Sequence, residues 1–167
     1  MIDDGLRRNA KRLLDLCRAA GLRVATAESC TGGLVAAALT EIAGSSDVVE
    51  CGLVTYSNEA KRKLLGVPAA TLARHGAVSR ETAVAMAKGA LKNSRADLAV
   101  AITGIAGPGG GSKRKPVGLV YFAAANRDGR LVARRRRFGK IGRTKVRSRS
   151  VTEALALLEA LAERTAG

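Results

Sequence analysis

Leu-Arg-Val-Ala-Thr-Ala-Glu-Ser-Cys-Thr-Gly-Gly, residues 22–33, passes from an apolar run into a serine and then into two glycines. Its first half, Leu22 to Ala27, predicts a short β-strand, and the small residues from Thr31 to Ala43 predict a helix. A strand that leads straight into a helix is typical of α/β proteins. Ser29 is therefore predicted to lie at a strand-to-helix junction.

The segments on either side extend this α/β pattern. Residues 3–20 space their apolar side chains by three and four, which predicts an amphipathic helix ended by Gly21. The ranges predicted after the junction are a turn at 44–47, a strand with buried positions at 48–56, helices at 58–65, 68–74 and 80–93, a buried strand at 98–103, a hairpin of strands at 117–125 and 131–138, and a final helix at 142–163. The final helix is predicted to turn these apolar side chains inward: Val146, Val151, Leu155, Leu158 and Leu161. The order predicts one α/β domain over residues 1–167, a layered sandwich with a mixed β-sheet flanked by helices.

The composition argues against a metal protein, a disulfide-rich protein and a membrane protein. The cysteines, Cys17, Cys30 and Cys51, are odd in number and have neither a disulfide nor a zinc spacing. His75 is the single histidine, so we expect no metal site. No apolar run approaches the roughly 20 residues of a membrane span, and the first residues lack the apolar core of a signal peptide. We therefore expect a reduced, cytoplasmic protein that does not bind membranes.

Positive charge is concentrated near the end of the chain. The 29 Lys and Arg exceed the 14 Asp and Glu, for a net charge of +15. Residues 127–149, the basic segment, hold 11 of the basic residues and one acid. Such a segment makes phosphorylated metabolites and nucleic acid candidate partners. Arginines 134–137 must alternate between two faces of a strand, and few aromatics are available to stack on bases, so nucleic-acid binding is left open but not favoured.

Ser29 is a candidate nucleophile. The backbone amides that follow it, at Cys30, Thr31 and Gly32, are predicted to begin a helix, and amides in that position can hold a negative oxygen. The alternative is that Ser29 or Thr31 only caps the helix. Cys30 is a second candidate nucleophile, since a thiol is intrinsically more reactive.

A serine needs a base to become nucleophilic. His75 is the only histidine, and the chain contains no Gly-x-Ser-x-Gly motif, so little supports a Ser-His-Asp triad. Lysine is the known substitute. Lys61 is a candidate because it closely follows a predicted strand, where loss of water would lower its pKa toward neutrality. A solvated helical lysine is the alternative, and the residues alone do not select Lys61 among the basic side chains.

The glycine-rich loop, residues 103–112, is a candidate phosphate site. Its backbone amides, including those around Gly104 and Gly107, could cradle an anion, although the pattern is neither Gly-x-Gly-x-x-Gly nor a P-loop and could equally be a flexible loop. Arg143, which follows Gly142 at the start of the final helix, is well placed to grip a phosphate with two hydrogen bonds.

Six runs of this sequence, in order, resemble the CinA C-terminal domain family, the nicotinamide mononucleotide deamidases. The runs lie at residues 26–33, 42–46, 54–61, 75–79, 103–110 and 115–118. The resemblance covers essentially the whole chain. It implies a Ser/Lys amidohydrolase of pyridine nucleotide recycling, which converts nicotinamide mononucleotide to nicotinic acid mononucleotide and ammonia without a cofactor, and it suggests a homodimer.

The resemblance also implies roles for individual residues. Ser29 matches the family's nucleophile and Lys61 its general base, while Tyr56 matches an assisting position. The positions matched to substrate binding are Ser46, Thr103 and Arg143. Two stretches depart from the family pattern, Lys113-Arg114 and Lys140-Ile141-Gly142-Arg143, and both add positive charge near the expected phosphate end. The alternatives are a nucleotide- or nucleic-acid-binding regulatory module without amidase activity and a catalytically silent homologue.

Overall fold

A computed structural model describes residues 2–167, which form one five-stranded mixed β-sheet with helices on both faces. The strands lie in the order β2-β1-β3-β4-β5. β1 is parallel to β2 and β3, whereas β4 is antiparallel to β3 and to β5. In chain order the elements are α1 Asp4–Ala20, β1 Val24–Glu28, α2 Leu34–Thr40, β2 Val49–Val54, α3 Asn58–Leu65, α4 Ala69–His75, α5 Arg80–Lys92, β3 Leu98–Gly104, β4 Leu119–Asn126, β5 Leu131–Arg137 and α6 Arg143–Ala166. This α/β architecture with a mixed sheet confirms the predicted fold class.

The two faces of the sheet differ in side-chain size because successive strand residues point to opposite faces. One face carries larger side chains, such as Val100, Ile102 and Phe122, and packs against α1, α2 and α6. The other face is built mainly from alanines, such as Ala99 and Ala101, and packs against α5 and the ends of α3 and α4. The small side chains let α5 lie close to the sheet.

Most predicted elements are confirmed to within a few residues. Asp3 caps α1 and Gly21 ends it, while Ser57 and Ser79 cap α3 and α5 through their side chains. Gly129 has φ +87° in the turn of the β4–β5 hairpin. The final helix buries all five side chains predicted to face inward: Val146, Val151, Leu155, Leu158 and Leu161. No helix within residues 2–167 has the length and apolar character that crossing a membrane requires.

Two predicted elements differ from the structure. The predicted helix at 31–43 begins only at Leu34, because Gly32 and Gly33 have φ +58° and +94°, which a right-handed helix cannot contain. The predicted strand at 48–56 is the shorter β2, and it is an edge strand whose Val54 is 46% exposed. A 3₁₀ turn at Ser45–Asp47 precedes it.

The four consecutive arginines of β5 alternate between the two faces, as predicted. Arg134 and Arg136 point toward α6, where both pair with the carboxylate of Glu153, at 2.6 and 2.9 Å. Part of the basic segment is therefore neutralised within the fold. These two ion pairs hold the edge strand β5 against α6.

Candidate active site

The candidate site lies at the carboxyl ends of β1 and β3. Ser29 follows β1 directly, and its backbone amide donates to the carbonyl of Ile102 in β3 (2.9 Å). A cavity of about 290 Å³ opens at this edge of the sheet. It is lined by residues from both strand ends, α3, the glycine-rich loop and α6, and includes Ser29, Cys30, Tyr56, Lys61, Thr103, Gly104, Gly107 and Arg143. Most of the predicted site residues therefore meet in one cavity.

Lys61 and Ser29 are in direct contact. The Nζ atom of Lys61 lies 3.0 Å from the Oγ atom of Ser29, and it donates to the backbone carbonyl of Thr55 at 2.7 Å. The Lys61 side chain is only 1% exposed. Burial lowers the pKa of Lys61, because it penalises the charged ammonium form. A neutral amine with one hydrogen bond to Thr55 keeps its lone pair free for the Ser29 hydroxyl proton.

The position of Lys61 is fixed at both ends of α3. The Ser57 hydroxyl accepts from the amide of Ala60 at the first turn (3.0 Å). At the last turn, the carbonyl of Leu65 lies so close to Gly89 of α5 that a Cβ atom on Gly89 would collide with it. The glycine thus permits α3 to dock on α5, and this docking carries Lys61 under the end of the sheet.

Glu28 is a functional residue that the sequence reasoning missed. Its buried carboxylate accepts from the amides of Gly33, Val35 and Ala36 at 3.1, 3.1 and 2.9 Å. Glu28 therefore caps α2, and the interpretation of Ser29 or Thr31 as the cap is wrong. The available signal was an acidic side chain just before a helix start, since carboxylates favour the positive end of a helix.

The amides available for an oxyanion are fewer than predicted. The amide of Gly32 donates to the carbonyl of Ser29 (3.0 Å), which closes a tight turn over residues 29–32. Within residues 2–167 the amides of Cys30 and Thr31, at the centre of this turn, have no acceptor. Thr31 is fully buried, and neither Thr31 nor Gly32 lines the cavity, whereas Cys30 does. The amide of Cys30 is therefore the one that a ligand in the cavity can reach.

The two alternative catalytic residues are disfavoured by their surroundings. Burial raises the pKa of the Cys30 thiol to about 12, so the thiol stays protonated at neutral pH. His75 ends α4, where its Nδ1 atom lies 3.7 Å from the carboxylate of Glu81, and it does not line the cavity. Neither a thiolate nor a histidine base is therefore arranged around Ser29.

Arg143 bridges two walls of the cavity. Its Nη1 atom donates to the carbonyl of Gly107 (2.9 Å), and its Nη2 atom donates to the hydroxyl of Tyr56 (3.0 Å). Tyr56 is 62% exposed, so a substrate can reach its ring. The hydroxyl of Thr103 donates to the carbonyl of Ala77 (2.7 Å), so toward a ligand its oxygen can only accept a hydrogen bond.

The glycines of the loop are required by close backbone approach. A Cβ atom on Gly104 would lie 2.7 Å from the Val120 side chain, and Gly107 has φ +85°.

Ser46 is not brought to this cavity. It lies exposed in the 3₁₀ turn before β2. Because β1 and β2 are parallel, the start of β2 and the end of β1 lie at opposite ends of the strands, so Ser46 is far from Ser29. Among the described residues, no three His, Cys, Asp or Glu side chains cluster as metal ligands would.

Known proteins are similar to this chain over most of its length. The nicotinamide-nucleotide amidohydrolase PncC of Escherichia coli (strain K12) is 51% identical over 158 residues, 95% of each chain. A CinA-like protein of Mycobacterium sp. (strain JLS) is 57% identical over 139 residues, 83% of this chain and 33% of that protein. The solved structure of the competence/damage inducible protein CihA from Agrobacterium tumefaciens has a TM-score of 0.95 and 55% identity, and covers 96% of this chain and 98% of its own.

The family resemblance seen in the sequence is confirmed along nearly the whole chain. The family model of the CinA C-terminal domain matches residues 6–162, a range that includes every residue lining the cavity. The family model and the relatives that cover most of the chain agree, and the chain belongs to the CinA C-terminal domain family.

Proposed function

We propose that this protein is a nicotinamide-nucleotide amidohydrolase that converts nicotinamide mononucleotide to nicotinic acid mononucleotide and ammonia in pyridine nucleotide recycling. The observation that carries the proposal is the buried Lys61, whose Nζ atom lies 3.0 Å from the Oγ atom of Ser29. A buried amine beside a serine hydroxyl is suited to base-assisted attack on an amide. The name of the E. coli relative supplies the substrate class.

The reaction begins with proton transfer from Ser29 to Lys61. The Oγ atom attacks the carboxamide carbon, and the carbonyl oxygen becomes an oxyanion. The free amide of Cys30 donates to it, at a typical benefit of about 3 kcal/mol per donor. The Lys61 ammonium then returns its proton to the amide nitrogen, the C–N bond breaks, and ammonia leaves. Lys61 next activates a water molecule that hydrolyses the acyl-enzyme and regenerates Ser29.

Tyr56 is assigned an assisting role in this scheme. Its hydroxyl oxygen accepts from Arg143, so its own proton is available to a second acceptor in the cavity. Tyr56 is assigned either to relay the proton from Lys61 to the departing nitrogen, giving up its own proton and taking one from Lys61, or to orient Lys61. Thr103, Gly104 and Gly107 are assigned to the wall that receives the nucleotide.

The phosphate of the substrate is assigned to the glycine-rich loop and Arg143. A second cavity of about 510 Å³ lies on the other side of the loop and shares Gly109 and Gly110 with the first. Lys113 and Lys140 line it. Both lie in the stretches that depart from the family pattern, and their charges support an anionic substrate.

An ammonia-release assay tests the proposal. We expect the purified protein to release ammonia from nicotinamide mononucleotide and, more slowly, from nicotinamide riboside, which lacks the phosphate. Ser29→Ala and Lys61→Ala are each expected to abolish release while the circular dichroism spectrum is kept. The assignment would be wrong if folded Ser29→Ala retained wild-type turnover or if the wild-type protein bound the nucleotide without releasing ammonia.

Other expectations stay predictions. We expect residues 1–167 to form a single domain, and the protein to be a homodimer in the cytoplasm. We also expect Ser46 to contribute to substrate binding. Nucleic-acid binding through the basic segment is not favoured, since Arg134 and Arg136 already pair with Glu153. Salt-dependent retention on DNA without amidase turnover would reverse that preference.

A further inference from the structure

Helix α6 presents two arginines to the site from successive turns. Residues four apart lie on one face of a helix, and Arg143 and Arg147 are so spaced. Arg143 contacts the glycine-rich loop and Tyr56, as described above. Arg147 instead contacts the tight turn over residues 29–32, here called the nucleophile turn. Its Nη2 atom donates to the backbone carbonyl of Thr31 at 2.9 Å.

This contact completes the fixation of the turn at residues 29–32. The peptide group between Thr31 and Gly32 is held on both sides: its N–H donates to the carbonyl of Ser29, and its C=O accepts from Arg147. A Cβ atom on Gly32 would lie 3.3 Å from the Arg147 guanidinium, so turn and guanidinium are in close contact. The central amides, at Cys30 and Thr31, are left as the free donors of the turn.

Arg147 is also an uncompensated positive charge. Its side chain is half-buried, its Nε atom is fully buried without a hydrogen-bond partner, and no carboxylate within residues 2–167 forms an ion pair with it. Burying an unpaired charge is costly, and a buried unsatisfied group in a folded protein calls for a reason. Arg147 does not line the active-site cavity itself, but it contacts the turn that follows Ser29, so a reaction that develops negative charge at this turn supplies one.

The helix that follows Ser29 cannot supply this positive potential by itself. Glu28 occupies three amides at the start of α2 and places a negative charge there. The field of the helix N-terminus is thereby offset before it reaches the cavity. Arg147 lies near enough to affect the turn electrostatically: burial raises the pKa of Cys30, while the charges of Lys61 and Arg147 act in the opposite direction.

We propose that Arg147 is a positioning residue for the amidohydrolase reaction, which together with the amide of Leu34 holds the Thr31 carbonyl so that the amide of Cys30 faces the oxyanion, and whose charge stabilises that oxyanion. The inference rests on the proposed function and deepens it. The interaction strengthens only as negative charge develops, so its loss lowers kcat and leaves substrate binding nearly unchanged.

The test compares Arg147→Met with Arg149→Met in steady-state ammonia release from nicotinamide mononucleotide. Arg149 is exposed on the same helix, so its variant removes an equal charge away from the turn. We expect Arg147→Met to lower kcat about 100-fold, the loss typical of one oxyanion donor, with KM changed less than threefold. Arg147→Lys, which restores the charge with a single donor group, is expected to recover about tenfold of that loss.

Binding and folding measurements make the result decisive. Calorimetric binding of nicotinamide mononucleotide to Ser29→Ala is expected to be unchanged when Arg147→Met is added, whereas a general collapse of the site would weaken it. A wild-type kcat in folded Arg147→Met, or a loss equal to that of Arg149→Met, overturns the inference. If Arg147→Met does not fold, Arg147→Lys decides, and a wild-type kcat in it overturns the inference. A wild-type enzyme that releases no ammonia refutes the proposed function itself.

Discussion

Lys61 keeps an amine where folded proteins usually exclude charge. Its side chain is buried, its close contacts are the Thr55 carbonyl and the Ser29 hydroxyl, and burial lowers its pKa. An ammonium group there would have to lose most of its hydration. The site therefore favours the neutral amine, which is the form that can accept a proton.

The pH dependence of turnover follows from this pKa. Because the neutral amine is the active base, kcat/KM is expected to rise with pH as Lys61 loses its proton, and the midpoint is expected below the ordinary value of 10.5. Initial rates of ammonia release across a pH series measure it. A rate that falls as pH rises through this limb would contradict the assignment of Lys61 as the base.

The same pKa links Lys61 to stability. Between the lowered pKa of the folded state and 10.5 in the unfolded chain, the unfolded chain binds more protons, so the free energy of unfolding rises with pH. Lys61→Met is expected to abolish turnover and to remove this part of the pH dependence. Lys88→Met, on the exposed side of α5, serves as the control and is expected to keep both.

Single residues were predictable to different degrees. Ser29 could be chosen from the sequence because a serine between a strand and two glycines is a local pattern. Lys61 could not be chosen among 29 Lys and Arg, since burial depends on where α3 packs. The roles of Glu28 and Arg147 depend on contacts with backbone groups at the nucleophile turn. No local sequence pattern predicts these contacts.

At the scale of elements, α2 is the helix whose start decides the site. Its first amides point toward the carboxylate of Glu28, which is buried beside Cys30 and Thr31 of the turn. The carboxylate ties the helix to the end of β1 and holds the two glycines between them. The start of α2 and the nucleophile turn therefore behave as one unit.

Glu28→Gln is expected to weaken this unit. The substitution removes the negative charge and turns one acceptor oxygen into a donor, so at least one helix amide loses its partner. A loss of about 1–3 kcal/mol in the free energy of unfolding is expected, measured by urea denaturation. Glu41→Gln, at an exposed carboxylate paired with Arg7, is the matched control. Equal losses in the two variants would contradict the role of Glu28.

Elements with strong local signals were predicted well. Helices α1, α3 and α5 carry capping side chains in the sequence, and the β4–β5 hairpin carries an Asp-Gly turn. The predicted limits of α2 and the predicted burial of β2 were wrong. They depend on the backbone conformation of Gly32 and Gly33 and on the order of strands, neither of which the apolar pattern records.

At the scale of the whole molecule, positive charge divides into a structural part and a free part. Arg134 and Arg136 pair with Glu153 across the β5–α6 interface. Lys113 and Lys140 line the cavity beyond the glycine-rich loop and form no ion pair among the described residues. Two of the lysines without an ion pair thus lie next to the expected phosphate.

Reversing these two charges is expected to weaken substrate binding. The double variant Lys113→Glu/Lys140→Glu should raise KM about tenfold or more at low salt with little change in kcat, because only the phosphate end is affected. Kinetic assays at two salt concentrations measure it. The control variant Lys88→Glu/Lys92→Glu makes the same change in net charge on α5, and an equal rise in its KM would show that only the overall charge matters.

Helix α6 joins loops that belong to different strands, since Arg147 holds the turn after β1 and Arg143 holds the loop after β3. It is also synthesised after every strand of the sheet. A chain still emerging from the ribosome can carry Ser29 and Lys61 without the two guanidinium groups that hold their surroundings. A chain that stops before Arg143 is therefore expected to lack amidohydrolase activity even where the five strands are present.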